Sequence, residues 1–361
     1  MVTEFNTAFS INGLPVAYAD LSEVAYSLVK EGEPFEREIG DFLLDWISES
    51  EYILQRTSGS TGSPKDVYLS KKAMVKSALL TGDFLALGEG TRALLCLPVS
   101  SIAGKMMLVR ALSLGWALTL VAPDRNPLWS VTGNIDFVAM VPMQLKASLK
   151  ELDRVRMVLV GGAPVSKDLR EALSGRKTIV YESYGMSETA SHIALRKLNP
   201  PVEGDSSGGV SAFQALPGIT LEQDKNNCLV VHAPFISKEA IQTNDLVSMP
   251  DAHSFHWLGR ADHVVNSGGV KLIPETLEAQ LEPVLKGRFF LTGIPDAELG
   301  EKLVLIAEGK ADEGLLAKVQ DSGVLEKYEV PKAVYFLDAF KEGKSGKILR
   351  AEIKRELFKI E

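Results

Sequence analysis

Met157-Val158-Leu159-Val160-Gly161-Gly162-Ala163-Pro164 is an uninterrupted apolar run that stops on two glycines, an alanine and a proline. Consecutive apolar residues of this kind fit a strand buried on both faces, and the glycines fit the turn by which it leaves its sheet. The same form recurs on either side, at Leu94-Leu95-Cys96-Leu97, Ala117-Leu118-Thr119-Leu120-Val121, Phe137-Val138-Ala139-Met140-Val141 and Thr178-Ile179-Val180-Tyr181. Helix-length stretches separate these runs. The pattern predicts an α/β class, a large domain with buried sheet flanked by helices. Ligands of such sheets collect beyond the carboxyl ends of the strands, so the residues after each run carry the functional information.

Two strand ends are informative. Gly161-Gly162-Ala163-Pro164 would let a flat ligand lie against the backbone, although a plain tight turn accounts for the glycines as well. Tyr184-Gly185-Met186-Ser187-Glu188-Thr189 gathers an aromatic face, two hydroxyls and a carboxylate. The ring can stack on a base, Ser187 or Thr189 can donate to a phosphate, and Glu188 can hold a divalent ion. Upstream, Thr57-Ser58-Gly59-Ser60-Thr61-Gly62-Ser63-Pro64-Lys65 follows the apolar Tyr52-Ile53-Leu54. Its small residues, hydroxyls and lysine suit the wrapping of a phosphate; a flexible Gly/Ser linker is the other reading of this loop alone. A Walker loop is excluded, because Ser63 and Pro64 separate Gly62 from Lys65 and Asp66 stands where a metal-binding hydroxyl is required. Ser70 is a candidate cap for a helix with Ala73, Met74, Ala78, Leu79, Phe84 and Leu85 at helical spacing, so the loop is expected to feed a helix N-terminus and share its partial positive charge.

A chain of 361 residues, 45% hydrophobic, is long enough for two or more domains. The net charge of -8 argues against a general nucleic-acid or anionic-membrane surface. Cys96 and Cys228 match no metal spacing and read as small buried hydrophobes, a usage that suits a reducing cytoplasm. Glu4 stands early, no basic stretch precedes an apolar core, and no run approaches the roughly 18 apolar residues of a membrane span. A soluble cytoplasmic protein without a signal peptide is expected. Phe42, Leu43, Leu44, Trp46 and Ile47 predict a short amphipathic helix that serves as packing cover for the residues downstream of it.

The loop at 57–65, the turn at 161–164 and the segment at 184–189 resemble, in the same order, motifs of the adenylate-forming superfamily of acyl-CoA synthetases, luciferases and peptide-synthetase adenylation domains. Thr243-Asn244-Asp245, Trp257-Leu258-Gly259-Arg260-Ala261-Asp262 and Lys344-Ser345-Gly346-Lys347-Ile348 resemble three more. The resemblance implies ATP and Mg²⁺ as cofactors and coenzyme A as co-substrate. A carboxylate attacks the α-phosphate of ATP, and a thiol then displaces AMP from the acyl-adenylate. It also implies roles. Thr57, Ser58, Gly59, Ser60, Thr61, Gly62 and Lys65 would hold the phosphates, and Glu188 the metal. Gly161, Gly162, Ala163, Pro164, Tyr184, Gly185, Ser187 and Thr189 would form the ATP/AMP site, with Asp245 on the ribose hydroxyls and Arg260 on the nucleotide. Lys347 would bridge carboxylate and α-phosphate.

The implied architecture is a large domain over 1–261, shortened at its N-terminus because only 56 residues precede the phosphate loop, and a small mobile α+β domain over 262–361 hinged at Asp262. The sequence supports that change of pattern: a glycine turn at Gly268-Gly269, a helix led by Pro274 with Leu277 and Leu281, apolar runs at 289–291, 303–306 and 333–336, then a basic amphipathic tail. Gly268 and Gly269 would line the coenzyme A channel.

Leu97 to Gly104 and Val141 to Leu145 resemble the acyl-pocket segments of a compact bacterial branch that acts on an aromatic keto dicarboxylate. This assigns Ser101, Ala103, Gly104, Lys105, Met143 and His192 to the acyl pocket. Lys105, His192 or Arg196 could supply the cation for the carboxylate that does not react. Ser101 stands where relatives have a histidine or aromatic gate, Ser187 where threonine is commoner, Met143 where threonine is usual, and Ala339-Phe340 where Leu-Pro is usual. The expected partners are a small carboxylic acid, ATP and coenzyme A, with neither nucleic acid nor membrane insertion, in an assembly compatible with a homodimer. The alternatives are a relative that activates another small aryl or aliphatic acid or loads a carrier protein, and a non-catalytic nucleotide-binding protein.

Overall fold

The computed structural model describes residues 5–57, 65–199, 211–343 and 348–359. Ser58, Gly59, Ser60, Thr61 and Gly62 of the predicted phosphate loop, and the terminal Lys347, lie outside the described residues. The chain forms two compact units, Met1–Thr220 with His232–Ile241, and Leu221–Val231 with Gln242–Glu361.

The first unit begins with β1 (Ser10–Ile11), β2 (Leu14–Pro15) and the helices α1 (Leu21–Glu31) and α2 (Pro34–Ile47). Pro34 opens α2, and the Glu36 carboxylate accepts the Glu33 amide at 2.9 Å. Ile39, Phe42, Leu43 and Trp46 then recur at helical spacing and are all buried. The predicted amphipathic helix is therefore present. Gly40 permits α1 and α2 to touch, since a Cβ there would stand 2.5 Å from the Ala25 carbonyl.

A hairpin of β3 (Tyr52–Thr57) and β4 (Lys65–Ser70) comes next, with Thr57 paired to Lys65. Lys65 thus starts a strand, and the helix α3 (Lys71–Leu85) begins only after it. The expected direct entry of the loop into a helix N-terminus is corrected. Ser70 occupies the cap position without a side-chain cap bond.

The sheet is completed by β5 (Arg92–Leu95), β6 (Ala117–Leu120), β7 (Ile135–Met140), β8 (Val155–Val160), β9 (Ile179–Gly185), β10 (His192–Asn199) and β11 (Phe213–Ala215). Between strands run the helices α4 (Ile102–Leu114), α5 (Pro142–Ala147) and α6 (Lys167–Leu173). The spatial order is β11-β10-β9-β8-β7-β5-β6-β1-β2, parallel from β6 to β9 and antiparallel where β10 joins β9. All five apolar runs read from the sequence coincide with the parallel strands. Leu94, Val138, Val158 and Val180 are cross-strand neighbours in one row and are fully buried. The alternate residues on the opposite face, Leu95, Phe137, Ala139, Met157 and Leu159, are buried as well, and burial of both faces explains why these strands read as continuous apolar runs. Arg92 closes the adjacent edge: its guanidinium donates twice to Asp136, at 2.9 Å each.

The second unit has a group of neighbouring strands, β12 (Thr220–Gln223), β13 (Cys228–His232), β14 (Ile241–Asp251) and β15 (Ser254–Arg260), of which β14 and β15 pair antiparallel. After it come β16 (Val265–Ser267), β17 (Val270–Leu272), α7 (Pro274–Leu281), β18 (Phe289–Asp296), β19 (Gly300–Glu308), α8 (Leu315–Asp321), β20 (Val334–Leu337) and α9 (Arg350–Phe358). The second small sheet runs β17-β16-β19-β18, with β20 parallel to β19. Leu277, Leu281, Leu291, Leu303 and Leu305 fill the space between α7 and this sheet. Gly268 and Gly269, at φ 59° and 86°, make the turn from β16 to β17, a backbone that favours glycine over any side chain. Cys96 and Cys228 are both buried, and burial pushes the Cys96 thiol up to about 12. Among the described residues no helix is long and apolar enough to cross a membrane.

Candidate active site

In the first unit, the turn after β8 and the end of β9 lie side by side. The Gly161 amide donates to the Met140 carbonyl at 3.1 Å, and the Ser183 hydroxyl donates to the Val160 carbonyl at 3.2 Å. A Cβ on Gly161 would stand 2.2 Å from that hydroxyl oxygen. Gly162, at φ 84°, and Pro164 are exposed, while Ala163 is half-buried. Tyr184 is half-buried on β9, its ring 5.8 Å from that of Phe213 at an interplanar angle of 57°. Gly185 faces the returning chain so closely that a Cβ would meet the Ser191 carbonyl at 2.4 Å and His192 Cα at 2.5 Å.

The chain then makes a tight turn over Ser187–Thr189. Thr189 is buried, and its hydroxyl accepts the Met186 amide at 3.0 Å and lies within donating distance of the Met186 and Ser191 carbonyls, at 2.9 and 2.6 Å. It braces the turn. Ser187, half-buried, and Glu188, exposed, are the polar side chains left to face a ligand. The strand β4, which starts at Lys65, lies close to this turn. Among the described residues no group of three His, Cys, Asp or Glu forms a metal cage. Magnesium on a nucleotide takes one or two carboxylates, substrate phosphates and water, and a single exposed Glu188 fits that requirement.

The acyl-pocket residues have diverse surroundings. Ser101 caps α4: its hydroxyl accepts the Gly104 amide at 3.2 Å and donates to the Pro98 carbonyl at 2.7 Å. Gly104 is buried, with the Pro98 carbonyl 2.3 Å from where a Cβ would be. Ala103 is exposed, and so is Met143 at the start of α5. Each of the three cations suggested for a free carboxylate already has a protein partner. Lys105 donates to the Leu54 carbonyl at 3.0 Å and to Gln55 Oε1 at 2.8 Å. Arg196 pairs with Glu182 at 2.6 Å. His192 is buried, its Nε2 3.2 Å from the Thr81 hydroxyl and its Nδ1 3.4 Å from Arg110. Burial, and then the charge of Arg110, holds His192 well below the usual imidazole range.

Arg110 belongs to none of the sequence motifs. It is 2% exposed, donates to the Ser191 hydroxyl at 2.8 Å, and leaves its Nε without a partner. No described carboxylate pairs with it, and burial pushes the guanidinium down to about 9. The sequence does carry a signal, a single arginine inside the apolar run Met106-Met107-Leu108-Val109-Arg110-Ala111-Leu112.

In the second unit, Asp245 and Arg260 are cross-strand partners on β14 and β15. Trp257 Nε1 donates to Asp245 Oδ1 at 3.1 Å, and Arg260 stands 3.9 Å from the same oxygen. The Thr243 hydroxyl accepts the Asp245 amide at 3.1 Å and donates to the Leu229 carbonyl at 2.8 Å, which gives the Thr-x-Asp spacing its local purpose. Arg260 also donates twice to Asp262, at 2.9 and 3.0 Å. Burial works to raise the Asp262 pKa, but the Arg260 bonds and charge hold it below the usual carboxylate range. Gly259 is required here, because a Cβ would meet Glu275 Oε2 and Ile273 Cγ2 at 2.6 Å.

An α/β unit with an aromatic ring and a single exposed carboxylate at a strand end and a lysine-led strand, together with a second unit bearing an Asp/Arg strand pair, has the features expected of a nucleotide-using enzyme. The chain belongs to the AMP-binding enzyme family, whose model matches residues 21–223. It is similar to a 2-succinylbenzoate–CoA ligase of Geobacillus kaustophilus, 27% identical over 84% of this chain and 69% of the relative. A 2-succinylbenzoate–CoA ligase of Lactococcus lactis is 25% identical over 86% of this chain and 72% of its own length. Among solved structures, an acyl-CoA synthetase (AMP-forming)/AMP-acid ligase II-like protein from Dyadobacter fermentans is 38% identical, covers 93% of this chain and 98% of its own, and superposes with a TM-score of 0.61. The o-succinylbenzoate CoA synthetase of Bacillus subtilis, solved with its acyl-adenylate, shares the fold at 22% identity and a TM-score of 0.73 over 97% of this chain and 82% of its own.

Proposed function

We propose that this protein is an AMP-forming acid–thiol ligase that converts o-succinylbenzoate to its coenzyme A thioester. In the first step a carboxylate oxygen of the acid attacks the α-phosphorus of ATP, forming the acyl-adenylate as pyrophosphate leaves. In the second the coenzyme A sulfur attacks the activated carbonyl, its proton passes to solvent, and AMP leaves. Magnesium, when bound, offsets the charge of the phosphates. Glu188 would hold that ion and Lys65 a phosphate oxygen. Asp245 would accept the ribose hydroxyls, with Trp257 and Thr243 fixing its orientation and Asp262 holding Arg260 in place. Lys347 would reach the carboxylate and α-phosphate by movement of residues 262–361 about Asp262, and Gly268-Gly269 would line the thiol's path.

The observation that carries this reading is the closeness of the Lys65 strand to the turn that exposes Glu188. Charge builds on the phosphates in both steps, and fixed cations close to that position are what the chemistry needs. The choice of acid is supported by relatives that act on 2-succinylbenzoate. A second reading keeps the chemistry and changes the acid to a small aryl or aliphatic monocarboxylate, free or destined for a carrier protein. It is favoured by one observation, that Lys105, Arg196 and His192 are all engaged by protein groups. Pyrophosphate release over a panel of acids, with and without coenzyme A, separates the two. The first predicts turnover with o-succinylbenzoate and none with benzoate or fatty acids, and the second predicts the reverse. Dependence on ATP and coenzyme A suits a cytoplasmic reaction; light scattering would test a homodimer.

A further inference from the structure

Glu182 and Arg196 face each other across β9, which carries Tyr184, and β10, the two strands joined by the turn that carries Glu188. Glu182 is 5% exposed. Its Oε2 accepts Arg196 Nε at 2.7 Å, while its Oε1 accepts the Val165 amide at 3.4 Å. Val165 is the residue directly after the Gly161–Pro164 turn. Arg196 in turn lies over the Phe213 ring, with its guanidinium carbon 4.4 Å from the centroid, and Tyr184 also packs against that ring, at 5.8 Å between centroids. One closed series of contacts therefore runs from the glycine turn through Glu182, Arg196 and Phe213 to the Tyr184 ring. Neither Glu182 nor Phe213 lies in a sequence motif, and Arg196 reads from the sequence only as an anion binder.

We propose that the Glu182–Arg196–Phe213 series is a bracket that sets the gap between the Gly161–Pro164 turn and the Tyr184 ring, and so determines affinity for the adenine nucleotide. This rests on the reading of those two segments as the nucleotide site. The physical case is that a flat base held between backbone and ring is sensitive to their separation. A buried carboxylate that accepts both a guanidinium and a backbone amide, with the guanidinium stacked on a ring, joins the walls through charge-assisted bonds and leaves no acceptor idle. Arg196, Glu182 and Phe213 act here as positioning residues.

The test compares Arg196→Met, Arg196→Lys and Phe213→Leu with the unaltered chain. AMP binding is measured by calorimetry, which requires no acid, and the KM values for ATP and for the acid are measured in pyrophosphate release. Arg196→Met is expected to weaken AMP binding and raise the KM for ATP roughly tenfold, with the KM for the acid changed less than about twofold. Arg196→Lys keeps the charge but loses the planar fork and the stack, and should fall between. If Arg196→Met does not fold, Phe213→Leu decides, because it keeps the apolar volume and removes only the ring shared by Arg196 and Tyr184. Unchanged AMP affinity in a folded Phe213→Leu or Arg196→Met chain, or a parallel loss for ATP and acid, overturns the proposal. Failure of the unaltered chain to activate any acid would strike the proposed ligase reaction alone, since the calorimetric difference would still stand or fall by itself.

Discussion

His192 shows how far a side chain's role depends on partners that lie distant in sequence. Three residues after Thr189 it reads as a pocket cation, yet the fold encloses it between Thr81 and Arg110, and burial keeps it neutral. Between its lowered folded value and the ordinary value of 6.5, the unfolded chain binds a proton that the folded chain does not. Its contribution to stability is thus complete above 6.5 and declines as pH falls below it. Urea midpoints should drop more steeply on acidification in the wild type than in His192→Gln; equal slopes would contradict the assignment. Lys105 and Arg196 are legible as cations near motifs, but their partners are not, because Gln55 meets Lys105 only where β3 comes against α4, and Glu182 meets Arg196 only where β9 pairs with β10. The glycines are more legible. Gly185→Ala sets a Cβ against backbone that cannot yield, whereas at Gly161 the obstacle is a serine hydroxyl that can rotate. Gly185→Ala should cost at least about 1–3 kcal/mol and Gly161→Ala less, read by denaturant midpoints.

Among the elements, the parallel strands are visible in the sequence because each is buried on both faces and so carries an unbroken apolar run. The strand β4 is not. Of its residues Lys65-Asp66-Val67-Tyr68-Leu69-Ser70 half are exposed and only Leu69 is buried, and a half-exposed hairpin strand offers no such run. β10 is hidden for a related reason: its inward residues include His192 and its second half carries Arg196 and Lys197. The helix α4 gives a local test. Ser101 is its N-cap, so Ser101→Ala should lower stability by about 1 kcal/mol, with Ser101→Asp restoring most of it. A loss in thioester formation without a loss in stability would instead assign Ser101 to the thiol's path.

At the scale of the whole molecule, the two compact units each hold part of the expected nucleotide machinery, Tyr184 and Glu188 in one, Asp245 and Arg260 in the other. The compact second unit takes in strands that precede Asp262, so the proposed movement about Asp262 would divide that unit rather than separate the two. Motif order makes the chemistry legible, because its residue types recur at fixed places along the chain; the acid is less legible, because its pocket is defined by shape. Lys347→Ala should cut acid-dependent pyrophosphate release roughly a hundredfold or more while preformed acyl-adenylate is still converted to thioester at close to the wild-type rate. The most direct test of the ligase assignment is pyrophosphate release from ATP and magnesium with o-succinylbenzoate, followed by mass detection of the thioester on addition of coenzyme A. The account predicts release that requires the acid, is lost in Lys347→Ala, and yields o-succinylbenzoyl-CoA and AMP. Absence of release with o-succinylbenzoate and with every other acid of the panel would contradict it.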